Sequence, residues 1–289
     1  MTKYPFHLVN VFAETHFGGN PLAVFPNAGG LTDEQMQQIA QQFNLSETVF
    51  IFAPTDLHGK KAIANLRIFT PNYELPLAGH PTLGSAFILK QLNTVPNEFV
   101  LNTQAKPVKI SVQGSHINMQ IAGFSHETSL ATADELAKAI SLMPQDIESQ
   151  AFWLNSGSPQ LLLQVLSKES LFNAKIDKDL LAQICQKNRG REMICLWFAD
   201  SENDNVFVRF FSLENGVIIQ DSGTGSACAN LGAYFILQHQ YPIAKNIYQG
   251  DDMGRPNRLA LKVDKDQHIF VGGNVIEVGK GEFYLPTNL

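Results

Sequence analysis

Three ionisable side chains stand where their surroundings would make them chemically useful. Glu47 lies in Asn44-Leu45-Ser46-Glu47-Thr48-Val49-Phe50-Ile51-Phe52, between an amphipathic stretch and a strand apolar on both faces. Such a strand is buried. A carboxylate at its mouth is expected to be partly desolvated, with its pKa raised toward a value suited to acid–base work. The plainer alternative is a surface glutamate in a helix–strand turn. His80 lies in Gly79-His80-Pro81-Thr82-Leu83-Gly84. Proline suits the first helical position, which makes His80 a candidate N-cap whose ring the helix dipole keeps neutral. Asp221 precedes Ser222-Gly223-Thr224-Gly225-Ser226, again at an expected helix start. A purely structural cap is the alternative for both.

An internal repeat relates these positions. Arg67-Ile68-Phe69-Thr70 recurs as Arg209-Phe210-Phe211-Ser212, and Leu83-Gly84-Ser85-Ala86 as Thr224-Gly225-Ser226-Ala227. Lys106-Pro107, a strand and His116-Ile117 are echoed by Arg255-Pro256, a strand and His268-Ile269. Matches in the same order point to duplication. This alignment sets His80 opposite Asp221, each ahead of a Gly-Ser-Ala helix opening. Two such helix starts, facing across a cleft, would offer unpaired N–H groups and partial positive charge. They would bind a substrate carboxylate without Lys or Arg.

The elements that must carry these groups are short strands with few helices. Strands are expected at His7–Phe12, Leu22–Phe25, Thr48–Phe52, Ala62–Phe69, Phe99–Leu101, Val108–Val112 and His116–Ile121. Thr32 with Gln35 forms a capping box ahead of Met36, Ile39, Ala40 and Phe43, the spacing of a helix. A second helix is expected from Pro81 to Gln91. His126–Ala131 reads as a connector between halves 1–125 and 126–289, with the last strands free to pack back on the first half. The second half reads as helices near Ala133–Ile140, Lys168–Asn173 and Lys178–Lys187, and an uncharged helix from Gly223. Its strands are expected near Phe152–Leu154, Leu161–Val165, Met193–Phe198, Val206–Phe211, Asn246–Tyr248, Leu259–Val263, His268–Val271 and Val275–Val278.

Composition narrows the function classes. The 289 residues are 44% hydrophobic and 17% charged, which excludes intrinsic disorder. A net charge of −6 argues against a nucleic-acid partner. No stretch is long and apolar enough for a membrane span, and the N-terminus lacks a signal-peptide core. Cys185, Cys195 and Cys228 show no disulfide spacing. A cytoplasmic protein is expected. No His-x-x-x-His and no Cys-x-x-Cys occurs, so no metal is expected. Gly223-Thr224-Gly225 invites a dinucleotide reading, but Cys228 stands at the third glycine position and Asp251 comes too late for the ribose-binding acid. Asn155-Ser156-Gly157-Ser158-Pro159 is a polar turn able to touch a ligand.

At these residues the chain resembles the phenazine biosynthesis PhzF-like family, within the diaminopimelate epimerase-like fold. The resemblance is carried by Gly19-Asn20-Pro21-Leu22-Ala23-Val24-Phe25, Leu45-Ser46-Glu47-Thr48-Val49-Phe50, Gly79-His80-Pro81-Thr82-Leu83-Gly84 and Asp221-Ser222-Gly223-Thr224-Gly225-Ser226-Ala227. Gln249-Gly250, Gly254-Arg255-Pro256 and Val271-Gly272-Gly273 extend it. It implies an α+β protein of two pseudo-symmetric halves, each a bent sheet wrapped around a central helix, with the active site between them. It also implies a homodimer, no cofactor, and an isomerase that moves a proton between ring carbons. Glu47 is then the proton shuttle, His80 and Asp221 position the substrate, and backbone groups around Gly79, Gly225 and Ser226 bind its carboxylate.

The expected protein is therefore a cofactor-independent isomerase of a small carboxylic acid, with Glu47, His80 and Asp221 as catalytic residues. Gly79, Gly223, Thr224, Gly225, Ser226, Asn20 and Ser158 are expected to contact substrate. The true epimerases of the fold use paired cysteines at the two helix starts. Here His80 and Asp221 stand in those places, and Cys228 has no partner in the first half. Two other classes remain open: a dinucleotide-dependent oxidoreductase and a non-catalytic metabolite-binding protein.

Overall fold

A computed structural model describes residues 1–55, 62–92 and 95–286. The chain forms two compact units, Met1–Gln120 with Gly272–Leu289, and Ile121–Val271. The first half was expected to end at residue 125, whereas the first unit leaves off at Gln120 and regains the chain at Gly272. In chain order the elements are β1 (Thr2–Val11), β2 (Asn20–Phe25), α1 (Asp33–Phe43), β3 (Glu47–Phe52), β4 (Ala64–Phe69), β5 (Glu74–Leu75), α2 (Gly79–Leu92), β6 (Glu98–Asn102), β7 (Pro107–Gln113) and β8 (His116–Ile121). Then come β9 (Ser125–Thr128), α3 (Ala133–Ala139), β10 (Phe152–Asn155), β11 (Pro159–Gln164), α4 (Lys168–Asn173), α5 (Lys178–Lys187), β12 (Met193–Ala199), β13 (Asn205–Glu214), β14 (Val217–Asp221), α6 (Gly225–Leu237), β15 (Ile243–Gln249), β16 (Asn257–Val263) and β17 (Ile269–Leu285).

The two units share one topology. In the first, β1 and β2 are antiparallel, β2 and β3 parallel, β3 and β4 antiparallel, and β4 pairs antiparallel with β5 and parallel with β6. In the second, β10 to β15 repeat these pairings in the same order. Parallel neighbours cannot be joined by a tight turn and need a crossover. α1 supplies it between β2 and β3, and α4 with α5 between β11 and β12. α2 and α6 supply the central crossovers.

Those two helices are apolar nearly all round, which demands enclosure. Every residue of α2 from His80 to Leu89 is buried, and in α6 so are Gly225, Ala227–Ala233, Phe235 and Ile236. α2 packs against β1, β2, β3 and β7, and α6 against β10, β11 and β16. On the outer side of the first sheet, α1 covers an aromatic cluster. Phe25 stacks on Phe50 at 5.0 Å, and Phe43 meets Phe6 edge-on at 5.0 Å. Phe283 of β17 joins them, 6.3 Å from Phe25.

The capping box forms as read, with Thr32 and Gln35 bonding each other's backbone N–H. The duplication shows in the side chains too. Arg67 holds Glu74 through Nε and Nη2 at 2.7 and 2.6 Å, with its guanidinium 5.2 Å from the Phe69 ring. Arg209 holds Gln220 at 3.1 Å and lies 4.8 Å from Phe211.

Three expectations change. His126–Ala131 is not a bare connector, because Ser125–Thr128 forms β9, antiparallel to β10. Its four residues are all exposed and carry no apolar alternation to betray a strand. The two closing strands are one 17-residue strand. The gap expected after Val271 falls inside this strand, where Gly272 marks a close backbone approach. A Cβ there would lie 2.7 Å from the Ile117 carbonyl. Finally, strand register shifts the repeat. Phe69 faces Glu74 and Phe211 faces Gln220, and the first helical bonds reach Ala78 and Thr224. The counterpart of His80 is thus Ser226, not Asp221.

Gly84 is where α2 lies tightest on its sheet. A Cβ would sit 2.5 Å from Leu22 Cδ2 and 3.1 Å from Val11 Cγ2, and both residues are fully buried. Gly84→Ala is expected to destabilise the protein by about 2 kcal/mol through overpacking, despite alanine's better helix propensity. Urea denaturation checks this.

Candidate active site

The carboxylate at position 47 is placed by a helix stop. Asn44 closes α1 in the left-handed conformation (φ 50°), and three residues later Glu47 opens β3. Its side chain is 16% exposed, and Oε2 lies 3.3 Å from His80 Nε2. The structure thus brings together two of the three expected ionisable residues.

His80 does not cap its helix. The first helical bond runs from Thr82 N to the Ala78 carbonyl, reinforced by the Thr82 hydroxyl at 2.7 Å. Gly79, His80 and Pro81 fill the first turn, where proline's missing N–H is harmless. Burial pushes the His80 ring down to about 3, against a raising contribution from a hydrogen bond to the Pro21 backbone. A neutral imidazole carries one N–H. The Pro21 backbone offers only a carbonyl, so that N–H is donated there, and the bare Nε2 facing Glu47 can accept a proton from a protonated Glu47 but cannot donate to its carboxylate. Asn20, buried at the start of β2, pairs with Val11.

The second set belongs to the other unit. Asp221 ends β14, and its carboxylate serves the turn that leads into α6. Oδ2 accepts from the Thr224 hydroxyl at 2.6 Å and Oδ1 from Gly223 N at 3.3 Å. Thr224, not Asp221, occupies the N-cap. Gln249, from the end of β15, locks this turn. Its Nε2 donates to the Asp221 carbonyl at 2.8 Å and to Thr224 Oγ1 at 2.9 Å, while Oε1 accepts from Thr224 N at 2.9 Å. Gly223 is fixed by packing, since a Cβ would meet Asn257 Oδ1 at 2.2 Å. That contact accounts for the glycine without a pyrophosphate.

Ser226 lies in the first turn of α6 and accepts from Gln160 Nε2 at 2.8 Å. Ser158 meets α6 through its backbone, its carbonyl accepting from Asn230 Nδ2 at 3.0 Å. Sequence reasoning missed Gln160, and it took Gln249 only as part of a matching dipeptide. The available signal was an amide side chain in an otherwise apolar strand.

The cysteines do not supply acid–base chemistry. Burial raises the thiols of Cys195 and Cys228 far above their ordinary value, and that of Cys185 to about 12. Cys228 stands at the close of the first turn of α6, its N–H bonding the Thr224 carbonyl. Among the described residues, Asp264, Asp266 and His268 bring possible metal-ligating atoms within 4.8 Å of one another. The turn's own hydrogen bonds to Asp264 account for this grouping.

Two bent-sheet units of one topology, each enclosing a helix, match a known architecture. The structure superposes on a phenazine biosynthesis protein of the PhzF family from Bacillus anthracis with a TM-score of 0.85, covering 99% of this chain and all of that one at 22% identity. The class is thus an α+β protein of the PhzF fold. The model of the phenazine biosynthesis-like family matches residues 9–281, and the chain belongs to that family. An uncharacterized isomerase of Pasteurella multocida is 46% identical, over 99% of this chain and 96% of its own length. The trans-2,3-dihydro-3-hydroxyanthranilate isomerase of Pseudomonas aeruginosa is 30% identical over 96% and 98%. The protein is an isomerase.

The buried imidazole ties stability to pH. Its folded-state pKa lies below the ordinary 6.5, at about 3, so between those values the unfolded chain binds the proton more tightly. Stability from this group is full above about pH 6.5 and is lost as pH falls toward 3. Acidification from pH 6.5 to 5 is expected to cost the wild type about 2 kcal/mol more than His80→Gln. Urea unfolding of both proteins at the two pH values measures the difference.

Proposed function

We propose that the protein moves a proton between two carbons of a small cyclic amino or hydroxy carboxylic acid, with Glu47 as the acid–base group and no cofactor. The observation that carries this is the 3.3 Å contact between Glu47 and a neutral His80, both turned away from bulk water. Because the imidazole is uncharged it forms no ion pair that would hold Glu47 as a carboxylate, and its bare Nε2 can accept from the carboxyl once Glu47 has taken a proton. Glu47 takes the proton from an sp3 carbon beside the substrate's unsaturated system. The electron pair left behind delocalises toward the carboxylate, and Glu47 returns the proton to the far carbon. One group serves both steps, so no net proton is consumed.

His80 and Asp221 hold the substrate's amine or hydroxyl. The first-turn amides of the central helices and the residues beside them, Gly79, Gly223, Thr224, Gly225 and Ser226, bind its carboxylate and the charge that develops on it. Asn20 and Ser158 line the same substrate. The ring acid named for the Pseudomonas aeruginosa relative supports this substrate class. Three buried, protonated thiols support a reducing cytoplasm as the working compartment. A homodimer is the assembly carried over from the family.

The test follows proton exchange in heavy water. trans-2,3-Dihydro-3-hydroxyanthranilate comes first, then a panel of cyclic amino and hydroxy acids. Glu47→Gln is expected to lower kcat by about 10²- to 10⁴-fold and to abolish deuterium uptake. A substrate turned over by the wild type and exchanged equally fast by the variant would remove Glu47 from the reaction.

A further inference from the structure

We propose that Gln160 and Asn230 are positioning residues that fix the direction of the Ser226 hydroxyl, making it a dedicated proton donor to an anionic oxygen of the substrate. This rests on Ser226 contacting the substrate carboxylate, as proposed above.

The polarity follows from a chain of bonds anchored on backbone. Ser156 N can only donate, and it donates to Asn230 Oδ1 at 2.8 Å. The Ser158 carbonyl can only accept, and it accepts from Asn230 Nδ2 at 3.0 Å. Together these contacts settle which end of the Asn230 amide is which. The same Nδ2 donates to Gln160 Oε1 at 2.9 Å, so the Gln160 amide is settled in turn. Its Nε2 faces Ser226 Oγ at 2.8 Å. An amide nitrogen does not accept hydrogen bonds. Ser226 must therefore receive this bond, and its own proton is directed elsewhere.

The burial of the relay matters as much as its direction. Asn230 is 0% exposed and Gln160 1%. Two amides at that depth carry a desolvation cost that an apolar pair would avoid. The relay runs from the Asn155–Ser158 turn, across α6, to the first turn of that helix. There an O–H aimed outward would meet a carboxylate in a charge-assisted bond.

The experiment inverts the polarity. Anthranilate and anthranilamide serve as probes, with binding followed by calorimetry at pH 8 and pH 5.5. In Gln160→Glu the carboxylate can only accept while ionised, so Ser226 turns its proton inward. Anthranilate affinity is expected to fall by about tenfold or more at pH 8, anthranilamide affinity to change little, and the loss to recover at pH 5.5 when the new side chain protonates. Gln160→Leu is expected to weaken anthranilate binding in the wild type but to add nothing in a Ser226→Ala background. A merely structural role would weaken both probes alike and show no such coupling, and that result overturns the proposal. Neutron diffraction supplies a readout without ligand. A deuteron on Ser226 Oγ directed away from Gln160 supports the relay, and one directed at Gln160 overturns it. A wild type that does not prefer anthranilate to anthranilamide overturns the donor role. Failure of the Glu47 exchange test alongside an intact preference would overturn only the acid–base reading.

Discussion

A helix buried on every side can present polar chemistry only at its ends. α2 and α6 meet that condition within their own units, and their flanks are spent on packing. The first turn of each leaves amide hydrogens that no helical carbonyl can take. Both groups of candidate residues gather there: Glu47 and His80 at the start of α2, and Asp221, Thr224 and Ser226 at the start of α6. The apolar core and the polar site are therefore one constraint seen from two sides. What makes the helix interior hydrophobic also excludes water from the imidazole and keeps it neutral.

The duplicated topology has diverged at the two starts. The first unit places an imidazole one residue after the opening glycine, whereas the second places a hydroxyl there. Asp221 belongs to the preceding strand and reaches the helix start through Thr224. The arginine–aromatic pair shows what did not diverge. Arg67 and Arg209 occupy the same strand position over the same kind of ring, and each holds a carboxylate, Glu74 for the first and Asp252 for the second, which also holds the Gln220 amide.

Much of this could be read from the chain. Residue spacing located α1 and its capping box, and three helices of the second unit, because those signals are local. The Asp221-Ser222-Gly223-Thr224-Gly225 and Gly79-His80-Pro81 motifs pointed to the correct helix starts. Other features depend on what lies opposite. β9 has four exposed residues and no period, and is a strand only because β10 faces it. Gly272 stands inside a strand because the Ile117 backbone comes close. The pairing of His80 with Ser226 needed strand register, which matching tetrapeptides do not contain. Gln160 and Gln249 looked like stray polar residues until their partners were known.

The return of β17 to β1 bears on how the chain is made. Thr2 pairs with Leu285 and Val11 with Val275, so the first unit lacks an edge strand until β17 has left the ribosome. The second unit is continuous in sequence and can close as it emerges. Synthesis thus leaves one edge of β1 unpaired through translation of everything between, while its other edge finds β2 and its buried face finds α2 as soon as those are made. An open strand edge is a template for pairing with another chain, so a change that unseats β17 would be felt in the unit whose other strands are made first.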